Sequence, residues 1–277
     1  MTFLAPAKIN LSLRVLSRCA DGFHEIKSLL CPISLFDSLE ITVRHQGGLE
    51  LVCDDPSLPT GGENLVVRAA RLFCSSCGIE PHLQIALSKR IPHGAGLGGG
   101  SSDAATTLIA LNRLFETELE QRALAAMAAD LGSDIPFFIY QSAALIRGRG
   151  ELVEPKEFPQ SLPLVLIKPP FGVPTSWAYG RWKDSREIPE VPYGLQAFAW
   201  GELVNDLERP VFEKYIFLAL LKRWLLAQPE VEGALMSGSG STVFAVLRSK
   251  EFATALGERV AREFGLDLWV CACETVG

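Results

Sequence analysis

Pro92-His-Gly-Ala-Gly-Leu-Gly-Gly-Gly-Ser-Ser-Asp103 is the most glycine-dense stretch of the chain: five of the seven residues from Gly94 to Gly100 are glycine. A segment rich in alanine, leucine and isoleucine follows and predicts a helix from Asp103 to about Phe115. Glycines let a backbone take positive φ and come close to a ligand. The N–H groups of such a loop can converge as a nest for an anion, and the helix start adds partial positive charge. Ser101 and Ser102 are placed to cap the helix and to offer hydroxyls to phosphate oxygens or, for Ser102, to Mg²⁺. Residues Pro92, His93, Gly94, Ala95, Gly96, Leu97, Gly98, Gly99, Gly100, Ser101 and Ser102 therefore form a candidate phosphate cradle. The P-loop motif is excluded, because no Lys-Ser or Lys-Thr follows the last glycine. Gly94-x-Gly96-x-x-Gly99 matches the dinucleotide fingerprint as a string. However, the preceding strand ends early, Pro92 intervenes and no βαβ pattern follows. A flexible linker is the remaining alternative, but linkers seldom run straight into a cappable apolar helix.

Upstream, residues 2–17 alternate as a strand, with Ile9, Leu11, Leu13 and Val15 against Asn10, Ser12 and Arg14. A turn at 18–22, strands at 39–43 and 49–53, a helix at 64–74 and a strand at 83–87 lead to the glycine loop. Downstream, a helix at about 118–131 precedes Gly132-Ser-Asp134-Ile-Pro136-Phe137, an apolar strand and Arg147-Gly-Arg-Gly150. Pro155, Pro159 and Pro163 mark a composition shift, which divides the chain into residues 1–155 and 156–277. Beyond it come a strand at 164–167, a loop containing Pro169 and Pro174 that continues to about 200, and a helix at 210–227. Ser237-Gly-Ser-Gly-Ser241, a strand at 242–247, a helix at 250–264 and a strand at 268–273 complete the pattern. This order favours an α+β fold over a doubly wound parallel sheet.

The 277 residues carry 26 basic and 32 acidic side chains, a net charge of −6. That balance argues against nucleic acid as the main partner, although a local basic groove can hold a small anion. An apolar share of 48% excludes a disordered chain. No apolar run is long enough to span a membrane. Pro6 and Lys8 interrupt what a signal peptide would need to be apolar, so a cytoplasmic location is expected. The seven cysteines, with Cys74 and Cys77 as a close pair, read as free thiols. The four histidines do not fall at zinc-finger spacings.

Three further features stay open on the residues alone. Lys8, inside an alternating strand, is either an edge residue that snorkels or a buried charge with a partner. Asp134 is either a turn or cap residue or a proton acceptor. Ser237–Ser241 is either a tight turn or a second backbone nest, with Gly238 and Ser239 facing a ligand. If the first loop holds a nucleoside triphosphate, transfer to an alcohol needs charge neutralisation and a base, and an Asp beside a Lys suits that.

Pro6-Ala-Lys-Ile-Asn-Leu11, the segment Pro92–Ser102, Leu131-Gly-Ser-Asp-Ile-Pro136 and Ser237-Gly-Ser-Gly-Ser-Thr242 together resemble the conserved segments of the galactokinase–homoserine kinase–mevalonate kinase–phosphomevalonate kinase (GHMP) superfamily. Asp21-Gly-Phe-His24 and Gly96-Leu-Gly-Gly-Gly-Ser-Ser-Asp-Ala-Ala105 resemble its branch in the non-mevalonate route to isoprenoids. The alternatives are mevalonate- or homoserine-type kinases or, more distantly, an NAD-binding dehydrogenase. The resemblance implies two domains, the first like ribosomal protein S5 domain 2 and the second ferredoxin-like, with the active site between them. It implies ATP with Mg²⁺ and a small-molecule substrate, cytidine diphosphate linked to methylerythritol, phosphorylated on the 2-hydroxyl. Asp134 matches the general base, Lys8 the lysine paired with it, and Asn10 a group beside the acceptor. Phe23 and His24 match the pair that recognises cytosine, by stacking and by an edge hydrogen bond. Phe23 stands where relatives commonly carry tyrosine, and Ala95 where glycine is frequent; the methyl of Ala95 requires negative φ there. Asn64 and Lys89 correspond to the adenine end, and Pro174 and Thr175 to a loop bordering the substrate. The guanidinium of Arg149 suits the diphosphate. Whether the protein is a monomer or a homodimer is left open.

Overall fold

The computed structural model describes every residue except Asp21, Pro159, Leu266 and Gly277. Asp21, one of the motif residues, and Pro159, one of the prolines at the composition shift, thus lie outside the described residues. The elements run β1 (Thr2–Arg18), β2 (His24–Val43), β3 (Leu49–Cys53), α1 (Leu65–Cys77), β4 (Leu83–Ser88), α2 (Gly99–Leu114), α3 (Gln121–Leu131), α4 (Ile135–Tyr140), β5 (Ala144–Gly148), β6 (Leu152–Pro155) and β7 (Pro163–Lys168). They continue as α5 (Thr175–Arg181), β8 (Gln196–Phe198), β9 (Gly201–Asn205), α6 (Glu208–Lys214), α7 (Ile216–Leu226), β10 (Val231–Met236), β11 (Val243–Leu247), α8 (Ala253–Phe264) and β12 (Trp269–Glu274).

Two sheets result. One runs β3-β4-β2-β1-β9-β8, with β5 on β2 and β6 on β5; the other runs β10-β11-β7-β12. The short strands β8 and β9 come late in the chain, yet β9 lies parallel to β1, pairing Ser12 with Val204 and Leu13 with Asn205. Side-chain alternation explains the stacking. On β7, Leu164 and Leu166 face the first sheet with Ala7, Ile9, Leu11 and Ile33. Val165 and Ile167 face the helices α6, α7 and α8 with Val211, Leu221 and Leu256. The other face of the first sheet is covered by α1 to α4, through Phe73, Leu108, Leu111 and Phe137.

Several expectations are corrected. The strand expected at 39–43 is the end of a 20-residue strand, β2, paired along β1. Pro32 and Asp37 had hidden its pattern, and tertiary pairing carries the strand past them. Helix α2 starts at Gly99 with Gly98 as its N-cap, so Ser101 and Ser102 lie inside the first turn and cap nothing. The apolar run from Phe137 to Tyr140 is helix, because Pro136 sits in the first turn, where a missing N–H does no harm. The strand is Ala144–Gly148 instead. The helix expected at 210–227 breaks at Tyr215, whose ring stacks on Phe171 with centroids 5.2 Å apart. The loop expected to about 200 contains α5 and β8, and strands β9 and β10 had no clear sequence signal. The strand after α2, β5, pairs antiparallel with β2, so the βαβ context of a dinucleotide site is missing. Among the described residues no helix is long and apolar enough to cross a membrane.

Candidate active site

The glycine loop closes on itself by giving away its carbonyls. Ala95 O accepts Thr242 N–H at 3.2 Å, and Leu97 O accepts Lys8 N–H at 2.9 Å. Gly96 O accepts from both Lys8 Nζ, at 2.8 Å, and Ser237 Oγ, at 3.0 Å. With the carbonyls turned to β1 and the second glycine loop, the amides are left for a ligand: no N–H from Gly94 to Ser101 donates to another described residue. Gly94, Gly96 and Gly98 have φ of 63°, 74° and 74°, and Ala95 does not share their positive φ. The methyl of Ala95 is buried in the core between the sheets, which is why alanine fits there. Gly96 has no such freedom, since a Cβ on it would stand 2.3 Å from Ser237 O.

Two cavities meet at this loop. The smaller, about 330 Å³, is lined by Asn64, Lys89, Pro92, His93, Gly94, Ala95, Gly99, Gly100 and Ser101. The larger, about 620 Å³, is lined by Lys8, Asn10, Phe23, His24, Asp134, Arg149, Thr175, Gly238 and Ser239. Gly96 and Gly98 belong to the walls of both. Of the residues singled out from sequence, Leu97, Ser102 and Pro174 line neither. Leu97 is packed in the core, and Pro174 is the residue before α5.

Lys8 is buried, and its ammonium donates to Asn10 Oδ1 at 2.6 Å as well as to Gly96 O. An ammonium has three protons, so one is left for the larger cavity. Burial lowers the Lys8 pKa, and the Asp134 carboxylate works against that fall. Among the described residues no ion pair joins the two, so the expected pairing is a through-space interaction across the cavity rather than a contact. Asn10 is fixed in turn, Nδ2 donating to Ser28 Oγ at 2.8 Å, and so orients the lysine. Asp134 is exposed at the start of α4, and its side chain makes no capping bond.

At the other end of the larger cavity, the ring of His24 lies 5.4 Å from that of Tyr179 and edge-on to Trp182 at 6.2 Å. Burial, Arg18 and Lys183 all lower the His24 pKa, which keeps the imidazole neutral at pH 7. The Arg149 guanidinium sits 4.9 Å from the centre of the half-exposed Phe23 ring. Arg18, Arg149 and Lys8 give this cavity a cationic lining in an acidic protein.

Lys89 is part of a buried triad that sequence reasoning missed. Its ammonium donates to Asp37 Oδ2 at 2.5 Å and to Asp103 Oδ2 at 2.6 Å. Asp37 Oδ1 also accepts the N–H groups of Arg90 and Ile91, which anchors the approach to the glycine loop. Two carboxylates share one cation here. Burial pushes the Asp103 carboxyl up, Lys89 opposing, while the two carboxylates outweigh burial and hold Lys89 above its ordinary value. A lone aspartate in an apolar strand was the only sequence signal for Asp37. Asp37→Ala leaves Lys89 its pair with Asp103 but takes the acceptor from the Arg90 and Ile91 N–H groups, so at about 1–3 kcal/mol for each donor left unsatisfied it is expected to lower unfolding stability by roughly 2–5 kcal/mol in urea titration.

Asn64 Oδ1 caps α1 through Val66 N–H at 2.9 Å, and its Nδ2 donates to Pro59 O, so both polar atoms shape the wall of the smaller cavity. Ser102 Oγ and Asp103 Oδ1 are buried oxygens without a hydrogen-bond partner. They are hard donors of the kind Mg²⁺ takes beside phosphate oxygens. Among the described residues no group of three or more His, Cys, Asp or Glu could hold a metal ion alone. All seven cysteines are free.

The chain that carries this arrangement, an amide nest beside a cationic cavity lined by a lysine and a carboxylate, is similar to known proteins. A family model for the N-terminal domain of GHMP kinases matches residues 64–142. A 4-diphosphocytidyl-2-C-methyl-D-erythritol kinase of Methylacidiphilum infernorum (isolate V4) is 41% identical over 270 residues, covering 96% of this chain and 93% of that protein. The crystal structure of a 4-(cytidine 5'-diphospho)-2C-methyl-D-erythritol kinase superposes with a TM-score of 0.82 at 38% identity, covering all of both chains. A homoserine kinase from Cytophaga hutchinsonii, 20% identical with a TM-score of 0.68 over 99% of this chain and 94% of its own, shares the fold. Full-length identity of this order, together with the motifs and the paired cavities, shows that the chain belongs to the 4-diphosphocytidyl-2-C-methyl-D-erythritol kinase family of GHMP kinases.

Proposed function

We propose that the protein transfers the γ-phosphoryl group of ATP to the 2-hydroxyl of 4-diphosphocytidyl-2-C-methyl-D-erythritol, releasing ADP. The observation that carries this reading is the shared wall: Gly96 and Gly98 separate a nest of free amides from a cavity holding Lys8 and Asp134. The triphosphate lies along the loop amides, with the adenine end toward Asn64 and Lys89. Phosphoryl transfer is mostly positioning and charge stabilisation. Asp134 accepts the hydroxyl proton as the oxygen attacks the γ-phosphorus; the new O–P bond forms as the bond to the β,γ-bridging oxygen breaks. The remaining Lys8 proton steadies charge on the transferring oxygens. Mg²⁺, when bound, would neutralise phosphate charge, and Asp103, which lines the smaller cavity with an unpartnered Oδ1, is the residue that would hold it, whereas Ser102 lines neither cavity.

The cytosine stacks on Phe23, a contact worth about 1–3 kcal/mol in single-strand binding. The neutral His24 offers one N–H to the base edge, and Arg149 meets the diphosphate. Thr175 and Ser239, whose hydroxyls are 2.9 Å apart, close the substrate side. We read residues 156–277 as the second domain. Its sheet order, β10-β11-β7-β12 with helices between β7 and β10 and between β11 and β12, supports a ferredoxin-like description. Residues 1–155 would be the S5-like part.

Incubation with ATP, Mg²⁺ and the cytidine-linked substrate is expected to release ADP in a coupled assay, with free CDP competing and UDP not. Turnover no better than with mevalonate or homoserine would overturn the assignment.

A further inference from the structure

The second glycine loop rests on a buried polar network that no step above uses. Asn205, the last residue of β9 and 3% exposed, donates through Nδ2 to Met236 O at 2.7 Å and to Gly238 O at 2.8 Å. Its Oδ1 accepts Leu207 N–H at 2.9 Å. Three residues later the fully buried Glu208 accepts Met236 N–H at 2.9 Å and pairs with Lys222 at 2.6 Å. Side chains from one short segment thus take up both polar groups of Met236 and the carbonyl of Gly238.

Gly238 is where this network reaches the lysine. A Cβ on it would lie 3.3 Å from both Lys8 Nζ and Asn10 Oδ1, so the loop backbone forms one wall of the ammonium's seat. The neighbouring Ser237 Oγ donates to Gly96 O, the oxygen that also takes a Lys8 proton. Asn205 further sits in register with β1, the strand that carries Lys8 and Asn10. Two carbonyl oxygens aimed at one point need two donors. A carboxamide supplies both from one nitrogen while keeping an acceptor and no charge.

We infer that Asn205 is a positioning residue for Lys8: by clamping Met236 O and Gly238 O it holds the loop against the ammonium and aims the remaining proton into the larger cavity. This rests on the reading of Lys8 as the group that stabilises transferring charge. Asn205→Asp keeps the size and the acceptor but loses both donors when ionised. At pH 8 its kcat is expected to fall about 10–100-fold with the ATP KM held within about twofold. A buried carboxyl facing two carbonyls takes up a proton readily. Its protonated form regains one donor, so kcat relative to the parent enzyme should recover several-fold between pH 8 and pH 6. Asn205→Leu should show no such recovery.

If Asn205→Asp fails to fold, Asn205→Ser, with one donor in a smaller side chain, is expected to show the same fall in kcat at constant ATP KM. The Lys8 ammonium, followed by NMR, should change its titration in a folded variant whether or not the substrate assignment holds. An inactive parent enzyme would count against the substrate assignment alone. Folded variants with parental kcat and an unchanged Lys8 titration, differing only in melting temperature, would overturn the role of Asn205.

Discussion

Asp134→Ala is expected to lower kcat by about 10²–10⁴-fold while ATP affinity stays within a few-fold. The range is what a positioned general base contributes. Asp134 lies in the wall of the larger cavity, whereas in the proposed function ATP binds along the smaller one, on the far side of Gly96 and Gly98. Structural damage is not expected to confuse the result. The side chain is exposed and makes no capping bond to α4, and such surface changes usually cost within about 0.5 kcal/mol. The Asp134 carboxylate also supports the protonated form of Lys8 across the cavity. Its removal should therefore let the Lys8 pKa fall further, and the alkaline limb of residual activity should move to lower pH. Steady-state kinetics across pH, with nucleotide binding measured separately, check both expectations. A variant with near-parental kcat would show that the acceptor loses its proton elsewhere.

The second large effect is expected at Gly96. Alanine there meets Ser237 O at 2.3 Å and Gly240 O at 2.9 Å, both backbone atoms that cannot step aside. It also requires a β-carbon at φ 74°, a conformation that costs about 1–3 kcal/mol for residues other than glycine. Overpacking adds about 1–3 kcal/mol. Together these predict a loss of roughly 2–6 kcal/mol and, in whatever remains folded, glycine loops that no longer meet and a Lys8 without its carbonyl partner. Gly100→Ala provides the contrast for stability. Its nearest neighbour would be Leu65 Cδ1 at an ordinary 3.8 Å, and alanine inside a helix is favoured over glycine by about 0.5–1 kcal/mol. Thermal unfolding should separate the two variants in opposite directions from the parent. Equal melting temperatures would show that the loops are not packed as described.

Most of the site was legible in one dimension because its chemistry is written in short segments. The glycine run, the lysine two residues before Asn10, the Phe23-His24 pair and the Gly-Ser-Asp turn each announce a backbone geometry or a charge. Nearly all of the residues chosen from them line the two cavities. Leu97 falls out because its side chain packs into the core, and Ser102 because helix α2 turns it inward. Pairing of Lys8 with Asp134 was too literal: the lysine found nearer partners in Asn10 and Gly96 O. Tyr179 carried no signal in a stretch that reads as loop. Asp37, Asn205 and Glu208 were silent because their roles depend on what lies opposite them, and no local pattern records that.

Local sequence by itself determined the strand β1, the helices α1 and α3, the glycine nest and the kind of chemistry it serves, since propensity, periodicity and φ preference act over a few residues. Only the tertiary structure decided where α2 begins, that Tyr215 breaks a helix, and that β9 returns to lie beside β1. Contacts between residues far apart in the chain, from Phe171 with Tyr215 to Ser12 with Val204, govern those outcomes. They are also what bring the Gly96 carbonyl, the Lys8 ammonium and the Gly238 backbone to a single point.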